Sequence, residues 1–298
     1  MPCYYPLQGY LSRSLNKSGK RSVVFNHREG FIDLPVKVPC GQCIGCRLER
    51  SRQWAVRCVH EASLYDENCF ITLTYDNEHL DKNGSLVKAD FQKFMKRLRK
   101  RFGSGVRYYH CGEYGEVNMR PHHHACLFNF NFGDRVPLDL SYSSNDLPAL
   151  YVSNDLAELW PFGIHTIGDV TFESAAYVAR YVMKKITGER ADSHYNGRLP
   201  EYTTMSRRPG IGRQWFDKFK GDCYPSDELV IRGGVVSKPP RYYDELYFGE
   251  DSKTMNLIKG RRLKCAKSNI HNSGQRLSVR CKVTEAKCKT FLKRSIEI

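Results

Sequence analysis

The sequence predicts an α+β fold, an antiparallel sheet with helices packed on one face, and three observations lead there. Short runs rich in β-branched and aromatic residues recur at 69–75, 106–111, 122–130 and 164–170, the composition of strands in a buried sheet. Helical apolar periods stand among them at about 47–64, 90–101 and 171–186. The runs at 106–111 and 122–130 are joined by a turn region, so they pair as neighbours.

Taken in order, the first 60 residues mix turns with a tight cysteine cluster and then enter the helix at about 47–64. After the strand at 69–75, Asp76-Asn77 and Asn83-Gly84 mark turns. Asp90 is the expected N-cap of a basic amphipathic helix. Its apolar face carries Phe91, Phe94, Met95 and Leu98, and Lys93, Lys96, Arg97, Arg99, Lys100 and Arg101 decorate the rest. Those cations form either a solvated outer face or a phosphate contact, with Lys96 and Arg97 the candidates for the latter. Residues 131–161 read as an insertion with a short helical piece near 156–160, because Pro, Asn and Ser cluster there.

Beyond the helix at 171–186 the pattern is less regular. Residues 206–213 form a basic glycine turn with Arg207, Arg208 and Arg213, and 239–243 a rigid aromatic-basic segment. From Lys253 onward Lys and Arg dominate, as in a partly disordered or loosely helical arm that adds nonspecific affinity for a polyanion such as DNA. The expected organisation is a cysteine-rich segment and helix at 1–64, a catalytic domain at 65–190, a basic and aromatic extension packed on it at 191–250, and a basic arm at 251–298.

Of 298 residues, 47 are Lys or Arg and 32 Asp or Glu, a formal charge of +15. That excess points to a polyanionic partner, nucleic acid before an anionic membrane. No stretch approaches the roughly 20 apolar residues of a membrane helix, and the first residues lack a signal-peptide pattern, so a cytoplasmic protein is expected. Twelve cysteines in such a chain are read as reduced thiols and metal ligands rather than a disulfide scaffold.

The densest candidate metal site lies around His122, His123 and His124. Alternation along a strand sends His122 and His124 to one face and His123 to the other. Glu113, at the end of the preceding strand, is the nearest carboxylate expected to face the same place. Two imidazoles and a carboxylate with positions left open let a divalent ion grip a phosphodiester; the same set could bind zinc and activate water.

On the helix at 171–186, Ala175, Ala179, Val182 and Ile186 form one apolar stripe, while Tyr177 and Tyr181 fall opposite it with Ser174, Arg180, Lys184 and Lys185. Aromatic rings facing cations and away from the packing stripe are not what a core helix needs. A phenol has a pKa of about 10, so it needs metal-held phosphate and nearby cations to act as a nucleophile.

Together the strand Phe70-Ile-Thr-Leu-Thr-Tyr75, the pair His122 and His124, and the helix bearing Tyr177 and Tyr181 resemble the HUH endonuclease family of rolling-circle initiators. The wording is closer still to the replication initiators of gokushovirus-type microviruses, which share the flavour of Pro39-Cys-Gly-Gln-Cys-Ile-Gly-Cys-Arg47, Cys111-Gly-Glu-Tyr-Gly115, Arg120-Pro-His-His-His-Ala125 and Pro209-Gly-Ile-Gly212. The resemblance implies a split ferredoxin-like, RRM-like catalytic fold. It makes His122, His124 and Glu113 ligands of Mg2+ or Mn2+, and Tyr177 and Tyr181 alternating nucleophiles with Arg180, Lys184 and Lys185 beside them. It implies phage origin DNA, single- and double-stranded, as substrate, a host helicase and polymerase as partners, and the host bacterial cytoplasm as location. One residue departs from the pattern: the middle of His-x-His is usually hydrophobic and here is His123, which either competes for metal or faces away.

Cys40, Cys43 and Cys46 supply three thiols in one short loop, with Cys3 or Cys58 as a fourth. Four soft ligands suit structural Zn2+; free thiols are the alternative. The expected activity is metal-dependent DNA nicking and joining through a 5′-phosphotyrosine intermediate. Its rivals are a relaxase or transposase of the same superfamily and a noncatalytic, zinc-stabilised DNA-binding regulator.

Overall fold

The computed structural model describes residues 3–17, 19–115, 118–138, 149–181 and 190–296. It divides into two compact units, one formed by 1–50 with 259–298 and the other by 51–258. The chain runs β1 (Leu7–Leu15), β2 (Arg21–Val24), β3 (Gly30–Val38), α1 (Ile44–Ala62), β4 (Asn68–Thr74), α2 (Lys88–Phe102), β5 (Arg107–Tyr114), β6 (Pro121–Phe128), β7 (Val136–Pro137) and β8 (Tyr151–Val152). It continues through α3 (Asn154–Leu159), β9 (His165–Gly168), α4 (Phe172–Tyr181), α5 (Arg190–Tyr195), β10 (Tyr202–Met205) and α6 (Arg213–Phe219). Last come β11 (Leu229–Val230), β12 (Val236–Ser237), α7 (Arg241–Glu250), α8 (Ser252–Ser268) and α9 (Gly274–Ile296).

The larger unit is built on a seven-stranded sheet in the order β10-β5-β6-β4-β9-β8-β7, antiparallel at every pairing. The α+β class is as expected, but the helices cover both faces rather than one. On one face Cys69, Ile71, Leu73, Ala125 and Leu127 pack with Phe91, Phe94, Met95 and Leu98 of α2 and with Leu156 and Leu159 of α3. On the other, Tyr109, Cys111, Cys126 and Phe128 pack with Ala55 and Cys58 of α1 and with Ala175, Val178 and Ala179 of α4. The cause is visible in β6, where 125–128 is an unbroken apolar run. A strand with no polar face has to be covered twice.

Three further elements depart from expectation. Asp90 lies in the first turn of α2, three residues after the N-cap position at Val87, so it is not the N-cap. In the described parts of the expected insertion, 131–138 and 149–161, β7 and β8 extend the main sheet, and Leu156, Leu159 and the fully buried Trp160 belong to its core. Trp160 also ties this stretch to β4, its indole Nε1 donating to the Thr74 carbonyl at 2.8 Å. The first 40 residues, expected as turns, hold the sheet β2-β1-β3. Its strands are short on alternation because Gly9, Ser12, Asp33 and Pro35 interrupt them, and Pro35 is tolerated because β3 is an edge.

The basic arm is also more ordered than expected. It forms the 17-residue α8 and the 23-residue α9, and Leu277 and Cys281 of α9 are buried beside the N-terminal cysteines. Among the described residues, no helix is long and apolar enough to cross a membrane.

Candidate metal centre and its tyrosine

Register brings the candidate ligands together. In the β5–β6 pair Glu113 stands opposite His122 and Cys111 opposite His124, while β4 places Thr74 and Thr72 opposite the same two histidines. Directly paired residues share a face, so Glu113, His122 and His124 all lie on the side covered by α4. The Nε2 atoms of His122 and His124 sit 2.7 and 2.9 Å from one oxygen, Oε1 of Glu113. One ligand atom from each of the three residues lies within 4.8 Å of the others.

The remaining nitrogens are held by their surroundings. His122 Nδ1 lies 3.0 Å from the Arg120 carbonyl, which can only accept, so an N–H on this nitrogen donates there and a cation at the site would be met by Nε2. His124 Nδ1 lies 2.9 Å from Thr72 Oγ1, and the ring stacks on Phe70 at 5.6 Å between centroids. Glu113 is 0 % exposed, and its second oxygen, Oε2, is buried with no hydrogen-bond partner among the described residues. A fully buried carboxylate with an orphaned oxygen and two imidazoles aimed at it costs several kcal/mol unless a cation compensates, of order 2–7 kcal/mol for a polar group alone. The donor set therefore fits a divalent ion bound by two nitrogens and a carboxylate, with further positions open.

Tyr177 projects from α4 against this group. Its ring meets His124 edge-on at 5.1 Å between centroids, and at 36 % exposure it is open to solvent while its neighbours Ala175, Val178 and Ala179 are buried. The helix is seated by Ser51 of α1, whose hydroxyl donates to the Ala176 carbonyl at 2.9 Å. The side chains of Arg180 and Tyr181, and residues Lys184 and Lys185, lie outside the described residues.

His123 faces away from the metal group. It lies in the opposite core, where Tyr75 Oη meets its Nε2 at 3.0 Å and His110 its Nδ1 at 3.1 Å. Burial pushes its pKa down to about 3 and that of His110 well below the usual range, so both are neutral. The chain of contacts runs on from Tyr75 to Asp90 at 3.1 Å and from His110 to Thr204 at 2.8 Å. Asp90 thus anchors a buried polar network instead of capping a helix.

The cations expected to touch DNA are dispersed. Lys96, Arg207 and Arg208 are exposed. Arg97 is committed to the Leu159 carbonyl at 2.7 Å and Arg213 to Asp217 at 2.9 Å. The glycine turn that carries Arg208 is clamped by a residue sequence reasoning passed over, the fully buried Glu61. Its carboxylate accepts from the Gly212 amide at 2.6 Å and pairs with Arg107, whose guanidinium also reaches the Pro209 carbonyl at 2.8 Å. A glutamate at i+7 from Trp54 and i+3 from Cys58, on the apolar face of the helix, was the signal that could have found it.

In the smaller unit, Cys3, Cys40, Cys43 and Cys46 converge with their sulfurs within 4.8 Å of one another. The other candidate for fourth place, Cys58, is in the core of the larger unit.

The family described as Replication-associated protein ORF2/G2P matches residues 68–186, the stretch from β4 through the tyrosine helix. Replication-associated protein VP4 of Bdellovibrio phage phiMH2K is 37% identical over 218 residues, covering 70% of this chain and 67% of that protein. Replication-associated protein ORF2 of Spiroplasma virus 4 is 36% identical over 247 residues, covering 78% and 75%. The chain belongs to the family of phage replication-associated proteins. Replication-associated protein ORF4 of Chlamydia phage 1 is a more distant relative of this replication-associated protein, 31% identical over 215 residues and 70% of the chain. The resemblance to microvirus replication initiators is thereby borne out. No solved structure matches the chain.

Proposed function

We propose that this phage replication-associated protein is an origin-specific single-strand DNA endonuclease and strand transferase with an HUH-type catalytic domain, which starts and ends rolling-circle replication through a 5′-phosphotyrosine intermediate. The observation that carries the reading is the edge-on contact of Tyr177 with His124, one of two imidazoles that converge on the buried Glu113. His122, His124 and Glu113 would hold Mg2+ or Mn2+, which when bound neutralises charge on the non-bridging oxygens of the attacked phosphodiester. The phenol oxygen of Tyr177 attacks phosphorus, losing its proton, and the P–O3′ bond breaks. The departing 3′ oxygen takes up a proton, so one phosphodiester replaces another and no water is consumed.

The family resemblance makes Tyr181, one helical turn on, the alternating nucleophile for the joining attack or its converse, with Arg180, Lys184 and Lys185 offsetting phosphate charge. Lys96, Arg207 and Arg208 are exposed cations suited to the DNA backbone, whereas Arg97 and Arg213 would have to give up intramolecular partners. The host helicase and polymerase, the cytoplasm of the host cell and the basic arm's contact with DNA belong to the same reading. In it, Cys3, Cys40, Cys43 and Cys46 hold structural Zn2+, a four-thiolate set that suits no catalytic opening.

The test is incubation with a labelled origin oligonucleotide and Mg2+ or Mn2+, followed by denaturing electrophoresis. A covalent adduct is expected, mapping to Tyr177 or Tyr181 by mass spectrometry. It is lost in the double variant Tyr177→Phe/Tyr181→Phe and in His124→Ala. An adduct undiminished in His124→Ala overturns the metal role, and no adduct under any divalent metal favours the noncatalytic DNA-binding regulator.

A further inference from the structure

We propose that the four-cysteine centre is a metal-dependent dock for the C-terminal helix α9, so that zinc loading decides whether the basic end of the chain is held or released. This rests on the zinc reading of Cys3, Cys40, Cys43 and Cys46 and adds to it a specific occupant and consequence.

The cluster is prepared for anionic sulfur. The backbone amides of Cys40 and Cys43 point at the sulfurs of Cys3 and Cys40, both at 3.3 Å, and the Tyr4 amide points at Cys43 Sγ at 3.4 Å. Amide donors to sulfur favour thiolate over thiol and fix the ligand geometry. All four cysteines are free of disulfides, and Cys3 and Cys43 are buried. Four soft ligands at mutual distances within 4.8 Å match a closed tetrahedral zinc site. On loading, the thiols release their protons and the centre carries a formal charge of −2.

Tyr4 joins this centre to α9. Its amide serves Cys43, and its hydroxyl lies 2.7 Å from Thr284 Oγ1, with the Arg280 guanidinium 5.9 Å from its ring. Leu277, Cys281 and Thr284 fall at i, i+4 and i+7, one stripe of the helix. Leu277 and Cys281 are buried in the same cluster as Cys3, Tyr4 and Cys43. Among the described residues that apolar contact is small, a single leucine and a thiol on the helix side.

The helix meanwhile has reason to leave. Within Gly274–Ile296 there are seven Lys or Arg and one Glu, a formal charge of 7 − 1 = +6. A helix so charged is self-repelling, and among the described residues two buried side chains anchor it. A neighbouring dianionic centre supplies what the apolar contact lacks, and the same ion holds Cys3 and Tyr4 against residues 40–46, across 37 residues of chain. Without the ion, that closure and the seat for Thr284 are lost together.

The experiment uses the full chain under a thiol reductant with Mg2+ present throughout. Zinc per chain is measured by elemental analysis, and hydrogen exchange of α9 is followed with zinc, after removal by a soft chelator, and after zinc is restored. One zinc per chain is expected. Exchange across 277–290 should be at least tenfold faster on removal and return on reloading, while α2 and β9 peptides are unchanged. Leu277→Asp should keep its zinc yet exchange α9 fast, and Cys43→Ser should lose both zinc and protection. Unchanged α9 exchange after complete zinc removal overturns the dock and leaves the zinc reading standing. Failure to take up zinc overturns both, and neither result touches the nicking reaction.

Discussion

Thr72 is placed to orient a candidate metal ligand, His124. For His124 to offer Nε2 to a cation, its proton must sit on Nδ1, and Thr72 Oγ1 stands 2.9 Å from that nitrogen as the acceptor. Thr72→Val keeps the shape and removes the acceptor. It should weaken Mn2+ binding about tenfold or more, read by electron paramagnetic resonance titration, with Thr72→Ser restoring most of it. Equal affinity in the valine variant would show that the contact does not orient the ligand. His60 makes a different prediction, for stability. It is stacked on Trp215 at 3.5 Å and lies 3.0 Å from Tyr243 Oη, and burial lowers its pKa to about 3. Because the unfolded chain binds a proton near pH 6.5 and the folded one does not, this group's stabilisation is complete above that pH. It is lost as pH falls towards 3, at up to about 1.4 kcal/mol per pH unit. Urea midpoints from pH 6.5 to 5 should therefore fall in the wild type, and fall less steeply in His60→Gln.

At the scale of elements, the site depends on how closely the end of β4 is crossed by the segment entering β9. Gly163 sits at φ +150°, and a Cβ there would lie 2.5 Å from the Asp76 amide nitrogen and 2.7 Å from the Thr74 carbonyl. Flanking backbone bonds, Thr74 N to Ile164 O and Asp76 N to Phe162 O, both 2.8 Å, leave no room to shift. Gly163→Ala should cost about 2 to 3 kcal/mol and lower the melting temperature by about 5 to 10 °C, measured by calorimetry. A change under 2 °C would mean the crossing can relax. The β5–β6 pair is the other decisive element, since a slip of one residue would turn His122 and His124 into the core and bring His123 out. The buried contacts of His123 with Tyr75 and His110 hold that register from behind.

For the whole molecule, charge is concentrated at one end of the chain. Residues 259–298 hold twelve Lys or Arg and two Glu, so 12 − 2 = +10 of the total +15. If this region supplies phosphate contacts, replacing the exposed Lys282, Lys287 and Lys289 with Gln should reduce the magnitude of the salt slope of single-stranded DNA binding by about 2. Fluorescence anisotropy at several salt concentrations reads this, and an unchanged slope would place the contacts elsewhere. Much of the site was legible in the chain before folding. Period-two alternation put His122 and His124 together and His123 apart, and the helical period separated Tyr177 from Ala175 and Ala179. Those are local rules, set by backbone geometry and independent of what packs nearby. The second helical layer, the sheet of the first 40 residues, the Glu61 clamp on the glycine turn and the choice of Cys3 over Cys58 were decided only by the tertiary structure. Each depends on partners tens to hundreds of residues apart, brought together by long-range pairing and burial that no local period encodes.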